Sequence, residues 1–116
     1  MVEDCIFCKM SKGEVKVDKI YENDNFFVIP DANPKVKRHS LIISKKHYVN
    51  SLDIPSSLGQ ELLNAIKNTA EILLKEPGVE GFNLLQNNFP VAGQVVMHVH
   101  YHILPRRKDD GVNIIS

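Results

Sequence analysis

The sequence predicts an α+β domain in which a mostly antiparallel sheet of roughly five strands packs against one long helix, with a short helix near the N-terminus. Three observations predict this fold class. Apolar residues recur at helical spacing over one long stretch, Ser56–Lys75. Short runs of β-branched and aromatic residues are separated mainly by turn residues, as in strands joined by hairpins. A later stretch, Gly93–Arg107, alternates histidines with apolar side chains in the manner of a half-buried strand.

Length and composition limit the possible function classes. The chain has 116 residues, of which 43% are hydrophobic and 24% charged, so we expect one globular domain spanning residues 1–116. No apolar run reaches the roughly 18 residues of a membrane span, and no secretory signal precedes Cys5, so we expect a cytoplasmic protein. A formal net charge of zero argues against a partner that is a nucleic-acid polymer.

The first half of the chain predicts a short helix followed by three strands. Cys5–Gly13 has the character of a helical turn or two, with Gly13 as its end. Asp18–Tyr21 and Asn25–Ile29, separated by E-N-D, predict a hairpin. A polar loop over residues 31–38 leads to a third strand at Leu41–Ile43.

The second half predicts the long helix, two further strands and a tail. Helical spacing relates five apolar residues within Ser56–Lys75, namely Leu58, Leu62, Ile66, Ala70 and Leu73. Pro77 and Gly78 end this helix, and Phe82–Gln86 predicts the fourth strand. Residues 106–108 are basic and read as a solvated flank, and residues 108–116 read as a loosely held terminus.

Three histidines occupy alternate positions of the predicted fifth strand. His98, His100 and His102 should project from one face, and we expect Pro105 to end the strand. Imidazole has an unperturbed pKa of about 6.5, so it can act as a nucleophile, a proton carrier or a metal ligand near neutral pH. A row of three such groups predicts a chemical function for this strand.

The two cysteines suggest a metal site. Cys5 and Cys8 have C-x-x-C spacing, which in a reducing compartment favours metal ligands or a redox pair over a structural disulfide. Two thiolates neutralise Zn²⁺, and His47 and His98 could complete a tetrahedral set. Because the four residues are far apart in sequence, spacing alone leaves this site open.

Four other positions are candidate site residues, and two of them, His39 and Asp31, allow two interpretations each. His39 lies either beside the triad or on the surface, and Asp31 either caps a turn or binds hydroxyl groups. Asn87 lies in an Asn-rich stretch where turn chemistry is common. Gly93, which lacks a side chain, would let backbone N–H groups approach an anion closely.

The motif H-V-H-Y-H-I-L, preceded by G-Q and followed by P-R, resembles that of the histidine triad (HIT) family. The similarity extends from C-I-F-C-K at Cys5 through H-S-L-I-I-S-K-K-H and the long helix to Arg107. The Hint-like small zinc-binding branch is the most similar. That resemblance implies a HIT fold, a structural zinc held by Cys5, Cys8, His47 and His98, and a homodimer in which two sheets join.

The resemblance also implies an activity. Members are nucleotide hydrolases or transferases acting at the α-phosphate of nucleoside monophosphate amides, esters or anhydrides, including purine nucleoside phosphoramidases that cleave AMP derivatives. His100 matches the nucleophile, which forms a nucleotidyl-histidine. His102 matches the residue that contacts the phosphate, and His39 the one that packs against the triad.

The remaining implied roles concern substrate binding. Asn87 and the backbone near Gly93 and Gln94 would hold the phosphate and leaving group, and Asp31 the ribose hydroxyls. The implied walls of the base pocket are Ile6, Phe7, Phe27 and Ile29. One position departs from the pattern, because Val95 stands where Hint-like proteins often carry serine or threonine.

Three alternative functions remain open from the sequence. The chain could be a dinucleoside polyphosphate hydrolase of the same family. It could be a metal-dependent hydrolase that uses the three histidines as ligands. It could also be an interaction protein that binds nucleotides without turning them over.

Overall fold

In the computed structural model, which describes residues 4–114, the chain forms a five-stranded antiparallel sheet with strand order β1-β2-β3-β5-β4. The elements are α1 (Ile6–Ser11), β1 (Tyr21–Glu22), β2 (Phe26–Pro30), β3 (Ser40–Ser44), α2 (Gly59–Leu74), β4 (Val79–Leu85) and β5 (His100–Arg107). The predicted fold class is confirmed. None of the helices within residues 4–114 is long and apolar enough to span a bilayer.

Two predicted element boundaries differ from the observed ones. The hairpin was expected from Asp18, but β1 begins at Tyr21. The long helix was expected from Ser56, yet Ser56–Leu58 forms a 3₁₀ turn before α2 starts at Gly59. Pro55, the N-cap of this turn, has an extended backbone. Such 3₁₀ turns are frequent at the N-termini of α-helices.

The two faces of the sheet carry separate hydrophobic clusters. Helix α2 covers one face, where Leu73 and Ala65 pack with Phe26, Val28 and Ile42. Helix α1 covers part of the other face, in a second cluster formed by Cys5, Phe7, Cys8, Phe27, Ile29, Leu41 and Ile43. Because α1 has only six residues, it leaves part of this face uncovered next to β5. The histidines of β5 lie there.

Strand β5 differs from the prediction at both ends. It begins at His100, so His98 precedes the strand and is not equivalent to the other two histidines. It also continues through Pro105, which pairs with Phe82 of β4. The last β3 partner of β5 is Ile103, so beyond that point β5 has a neighbour on one side only. A proline, which lacks an N–H, is tolerated at such an edge.

The segment after β5 is fastened to the sheet, which corrects the expectation of a loose terminus for residues 108–114. The Arg106 guanidinium donates to both carboxylate oxygens of Asp110, at 2.7 and 2.8 Å. It also donates to Asn83 Oδ1 at 2.7 Å and to the carbonyl of Val112. Arg106 thereby holds the pKa of Asp110 well below its usual range.

Candidate active site and metal centre

Two cysteines and two histidines converge between α1 and the start of β5. Cys8 Sγ lies 3.3 Å from His47 Nδ1, and Cys5 Sγ lies 3.2 Å from His98 Nδ1. The two Nδ1 atoms are 3.1 Å apart. Ligand atoms bound tetrahedrally to one zinc ion lie roughly 3.3 to 3.8 Å apart, given bonds of about 2.0 to 2.3 Å. The donor set and its spacing therefore fit one Zn²⁺.

Local structure explains why these four atoms meet. Cys5 is the N-cap of α1 and accepts the N–H of Cys8 at 3.4 Å, which puts both thiols on one side of the first turn. His98 Nε2 donates to the carbonyl of Ser44 at 2.7 Å, so Nδ1 keeps its lone pair and faces the cysteines. This tautomer is the one that a metal ligand needs.

The pKa values of these cysteine and histidine side chains are compatible with a metal site. Burial, assisted by Cys5, raises the pKa of the Cys8 thiol to about 11. Burial lowers the pKa of His98 to about 4 and lowers that of His47 as well, so both imidazoles are neutral at pH 7. Neutral imidazoles are the metal-binding form, whereas the thiols would release protons on binding a cation.

His100 is held in one orientation by the main chain. Its Nδ1 donates to the carbonyl of His98 at 2.7 Å, so the proton lies on Nδ1 and the lone pair on Nε2. The Phe7 ring contacts His100 edge-on, at 5.2 Å between centroids, and also contacts His98. A fixed tautomer with a free Nε2 is the arrangement that a nucleophilic imidazole requires.

His39 and His102 form a hydrogen-bonded pair beside His100. The N–H of Lys35 donates to His39 Nδ1 at 3.1 Å, so the neutral His39 ring carries its proton on Nε2. His39 Nε2 donates to His102 Nδ1 at 2.9 Å, which leaves the proton of His102 on its own Nε2. His102 is thus oriented as a donor. His39 is 1% exposed, so the structure places it beside the triad and not on the surface.

Burial decides the charge of this pair. It lowers the pKa of His102 to about 4, with His100 and His39 contributing in the same direction. Burial also lowers the pKa of His39, although Asp31 opposes the shift. His102 is therefore a neutral hydrogen-bond donor at pH 7, not an imidazolium acid.

Asp31 lies next to this pair. Its Oδ2 is 3.3 Å from His39 Nε2 and 3.9 Å from His102 Nδ1, while Oδ1 accepts the N–H of Asn33 at 2.8 Å. The carboxylate is half-buried at the end of β2. Asp31 is therefore both a turn acceptor and a neighbour of the histidines.

The histidines do not form a common ligand set. Among residues 4–114, ligand atoms within 4.8 Å of one another form two groups, and His100 belongs to neither. His98 belongs with the cysteines, and His102 belongs with Asp31 and His39. In the second group, a metal bound to His39 Nε2 would require the proton of that ring to lie on Nδ1, where it would face the N–H of Lys35. This geometry argues against a catalytic metal held by the three triad histidines.

The loop between β4 and β5 is fixed by Gln94. Its side chain accepts the N–H of Phe89 at 2.8 Å and donates to the carbonyls of Val49 and Val96. The N–H groups of Gly93 and Gln94 donate within the loop, at 2.9 and 3.1 Å, so in this conformation they are not free to bind phosphate. Gly93 has φ 98° and lies against the Asn87 amide. Asn87 and Gly93 are thus neighbours.

The expected base-pocket residues lie at different depths. Phe27 and Ile29 are 0% and 4% exposed, so they lie in the core and present little surface to a ligand. Ile6 is 41% exposed, and the ring of the adjacent residue Phe7 contacts His100. Of the four, Ile6 offers most surface to a ligand.

The resemblance implies a backbone carbonyl as the acceptor for the nucleophilic histidine, but sequence inspection did not identify which main-chain groups orient the imidazole rings. They are the carbonyls of Ser44 and His98 and the N–H of Lys35. Every residue carries such groups, so no sequence signal distinguishes them.

Known proteins are similar to this chain in sequence and in fold. Residues 12–109 match the HIT domain family. An adenylylsulfatase of Arabidopsis thaliana is 41% identical over 107 residues, covering 92% of this chain and 54% of that protein. An adenosine 5'-monophosphoramidase of Candida albicans is 37% identical over 109 residues, covering 90% and 72%. The crystal structure of a HIT family member from Bacillus subtilis superimposes with a TM-score of 0.90 at 34% identity, covering 98% of this chain and 82% of that one.

Proposed function

The chain belongs to the HIT domain family, and from that premise we propose that it is a nucleotide hydrolase or nucleotidyl transferase acting at the α-phosphate of adenylyl compounds. The names of two relatives specify an adenosine monophosphoramidase and an adenylylsulfatase, so both substrates are adenylyl compounds. The substrates of this chain are therefore AMP derivatives: amides, esters or anhydrides.

The orientation of His100 carries this proposal. With Nδ1–H bound to the His98 carbonyl at 2.7 Å, Nε2 can attack phosphorus. A P–N bond forms, the bond from phosphorus to the leaving group breaks, and the electron pair departs with that group. Water then attacks phosphorus and loses a proton, the P–N bond breaks with its electron pair returning to Nε2, and AMP is released. One difficult displacement is thereby divided into two easier ones.

His102 and His39 stabilise charge in this scheme. His102 Nε2–H donates to an oxygen of the reacting phosphate, where negative charge increases in the transition state. His39 keeps His102 in the donor tautomer through the 2.9 Å hydrogen bond. Asp31 binds the ribose hydroxyls, and Asn87, fixed against Gly93, binds the phosphate or the leaving group.

A structural zinc completes the proposal. Cys5, Cys8, His47 and His98 would hold it, and its chemistry there is to cross-link α1 to the sheet. The separations of 3.1 to 3.5 Å among these donor atoms support the assignment. Elemental analysis of protein purified without chelator tests it, with one zinc per chain as the expected result.

We also propose a homodimer formed through β4. This strand is one of the two edges of the sheet, and its Phe82 and Leu84 side chains are 39% and 45% exposed. Exposed edges with apolar side chains favour pairing with another strand. Light scattering should give twice the chain mass, and Leu84→Lys should give monomers. Monomeric wild-type protein at micromolar concentration would contradict the dimer.

Trapping the covalent intermediate tests the catalytic proposal. Adenosine 5'-phosphoramidate is mixed with the protein and quenched in alkaline denaturant, because acid hydrolyses P–N bonds. Intact-mass spectrometry should detect an adenylyl adduct on wild-type protein and none on His100→Gln. Turnover without an adduct would favour direct attack by water, and the absence of both would favour a nucleotide-binding module.

A further inference from the structure

The main-chain ladder between β4 and β5 stops just before it reaches the nucleophile. Its last pair is Leu85 with His102, which leaves Gln86 and Asn87 beyond the end of β4. Because the register is antiparallel, continuing it by two residues would place Asn87 opposite His100. Residues that oppose each other in this way project from the same face of a sheet. Contacts other than the ladder therefore have to hold Asn87 beside the nucleophile.

Ser51 supplies such contacts on both sides of Asn87. Its hydroxyl donates to Gln86 Oε1 at 2.7 Å, and its N–H donates to Asn88 Oδ1 at 2.9 Å. Gln86 and Asn88 are the residues directly before and after Asn87. A single residue thus fastens both neighbours of Asn87, while Gly93 lies against the Asn87 amide.

The Ser51 hydroxyl is also connected to β5. Its own proton goes to Gln86, so the Tyr101 hydroxyl, at 3.0 Å, donates to Ser51 Oγ. Tyr101 is the residue between the two histidines of β5. The hydrogen bonds from Tyr101 through Ser51 to Gln86 therefore join the two strands where the ladder has ended. Successive hydrogen bonds of this kind polarise and strengthen one another.

The turn that carries Ser51 is itself well ordered by hydrogen bonds. Ser51 begins a 3₁₀ turn at which Asn50 and Asp53 form a capping box. Asn50 is buried, with 6% of its surface exposed. The N–H groups at the start of a helical turn have no partner within it, so the bond to Asn88 satisfies the N–H of Ser51.

We propose that Ser51 is a positioning residue, which holds Asn87 beside His100 so that the Asn87 amide meets the phosphate or the leaving group in the transition state. This inference rests on the proposed function. The carbonyl of Asn87 accepts the Gln86 side chain at 3.2 Å, whereas within residues 4–114 the Asn87 amide group has no hydrogen-bond partner in the protein. A donor that is already in place needs no reorganisation when negative charge develops. Ser51 acts through Asn87 and touches no reacting atom.

A double-mutant cycle distinguishes positioning from a purely structural role. We would measure kcat and KM for adenosine 5'-phosphoramidate with wild-type protein, Ser51→Ala, Asn87→Ala and the double variant. If Ser51 acts through Asn87, removal of its hydroxyl affects kcat only while the Asn87 amide is present. A general disturbance of the fold would lower kcat in both backgrounds.

Two further variants accompany the cycle. Tyr101→Phe removes only the donor to Ser51, so it tests the network even if Ser51→Ala folds poorly. Asn23→Ala is the matched control, because it removes hydrogen bonds that the Asn23 side chain makes with the N–H of Phe26 and the carbonyl of Glu61, none of which belongs to the network. Thermal melting measures the stability of every variant.

We expect Ser51→Ala to lower kcat roughly 3- to 10-fold, the factor typical of one neutral hydrogen bond, with KM changed by less than about twofold. The same substitution should have no further effect on kcat in the Asn87→Ala background. Tyr101→Phe should lower kcat by a smaller factor, and Asn23→Ala should lower the melting temperature while the folded protein keeps its kcat.

Three results would overturn the positioning role and leave the proposed function intact. They are independent, multiplicative losses in the double variant, a wild-type kcat in Asn87→Ala, and a wild-type kcat in both Ser51→Ala and Tyr101→Phe. A wild-type protein that cleaves no amide, ester or anhydride of AMP would overturn both proposals.

Discussion

Protonation of His102 should make the protein acid-labile in a way that one substitution removes. The pKa of His102 is about 4 in the folded protein, against 6.5 as its ordinary value. Between about pH 6.5 and pH 4, His102 is therefore protonated in the unfolded chain and neutral in the folded chain. The contribution of His102 to the free energy of unfolding is complete above pH 6.5 and is lost as the pH falls from 6.5 to about 4. His102→Gln cannot bind that proton in either state.

The size of the effect follows from the two pKa values. Between pH 7 and pH 5, this one group should lower the free energy of unfolding by about 2 kcal/mol, at 1.36 kcal/mol for each unit of pKa difference. The side chain is only 18% exposed, so solvent screening reduces this little. At pH 7 the substitution should instead cost about 1 kcal/mol for the hydrogen bond with His39.

Urea unfolding at pH 7, 6 and 5 measures the difference between the two proteins. We expect wild-type protein to be the more stable at pH 7 and His102→Gln to equal or exceed it at pH 5. Both proteins carry the same metal-binding residues, so effects of pH on metal affinity cancel in the comparison. A constant difference at all three pH values would show that the folded pKa of His102 is not depressed.

Three further predictions concern the division of roles among neighbouring residues. His100→Gln should lose essentially all turnover yet keep its zinc, its melting temperature and its affinity for AMP, measured by calorimetry. Loss of zinc in this variant would show that His100 belongs to the metal site. Cys8→Ala and His47→Ala should lose zinc and several degrees of melting temperature together, with activity following the folded fraction; a folded, zinc-free variant of full stability would refute the structural role. Val95→Ser should raise kcat for adenosine 5'-phosphoramidate up to about 10-fold by supplying a hydroxyl near the leaving group; an unchanged kcat in a folded variant would show that this hydroxyl is not needed.

Much of the fold is encoded locally. Alternation along His100–Ile103 puts histidines on one face and Tyr101 with Ile103 on the other, where they pack against α2. Helical spacing between Leu58 and Leu73 located α2 to within three residues at its start and one at its end. These elements were predictable because side-chain periodicity alone decides which face is buried.

Element ends and loop roles were less predictable. Pro105 was expected to end β5, but at that point β5 has no neighbour on the β3 side, so no hydrogen bond requires the missing N–H. Gln94 was expected to contribute to the phosphate site through its backbone, whereas its backbone N–H donates to the carbonyl of Phe89 and its side-chain amide bonds to Phe89 and Val49, which holds the loop. In both cases the outcome depended on which partners the fold brings near.

The amino-acid sequence specifies the types of chemistry available: thiols and imidazoles for a metal, and alternating imidazoles for phosphorus. Which of these groups act together depends on the folded arrangement. In the folded chain the His98 ring faces the cysteines, whereas Nδ1 of His100 donates to the carbonyl of His98. The fold also brings Ser51 within hydrogen-bond distance of Gln86 and Tyr101. Such contacts arise because chain folding joins groups of large sequence separation, and the main-chain donors and acceptors that orient them are the same in every residue.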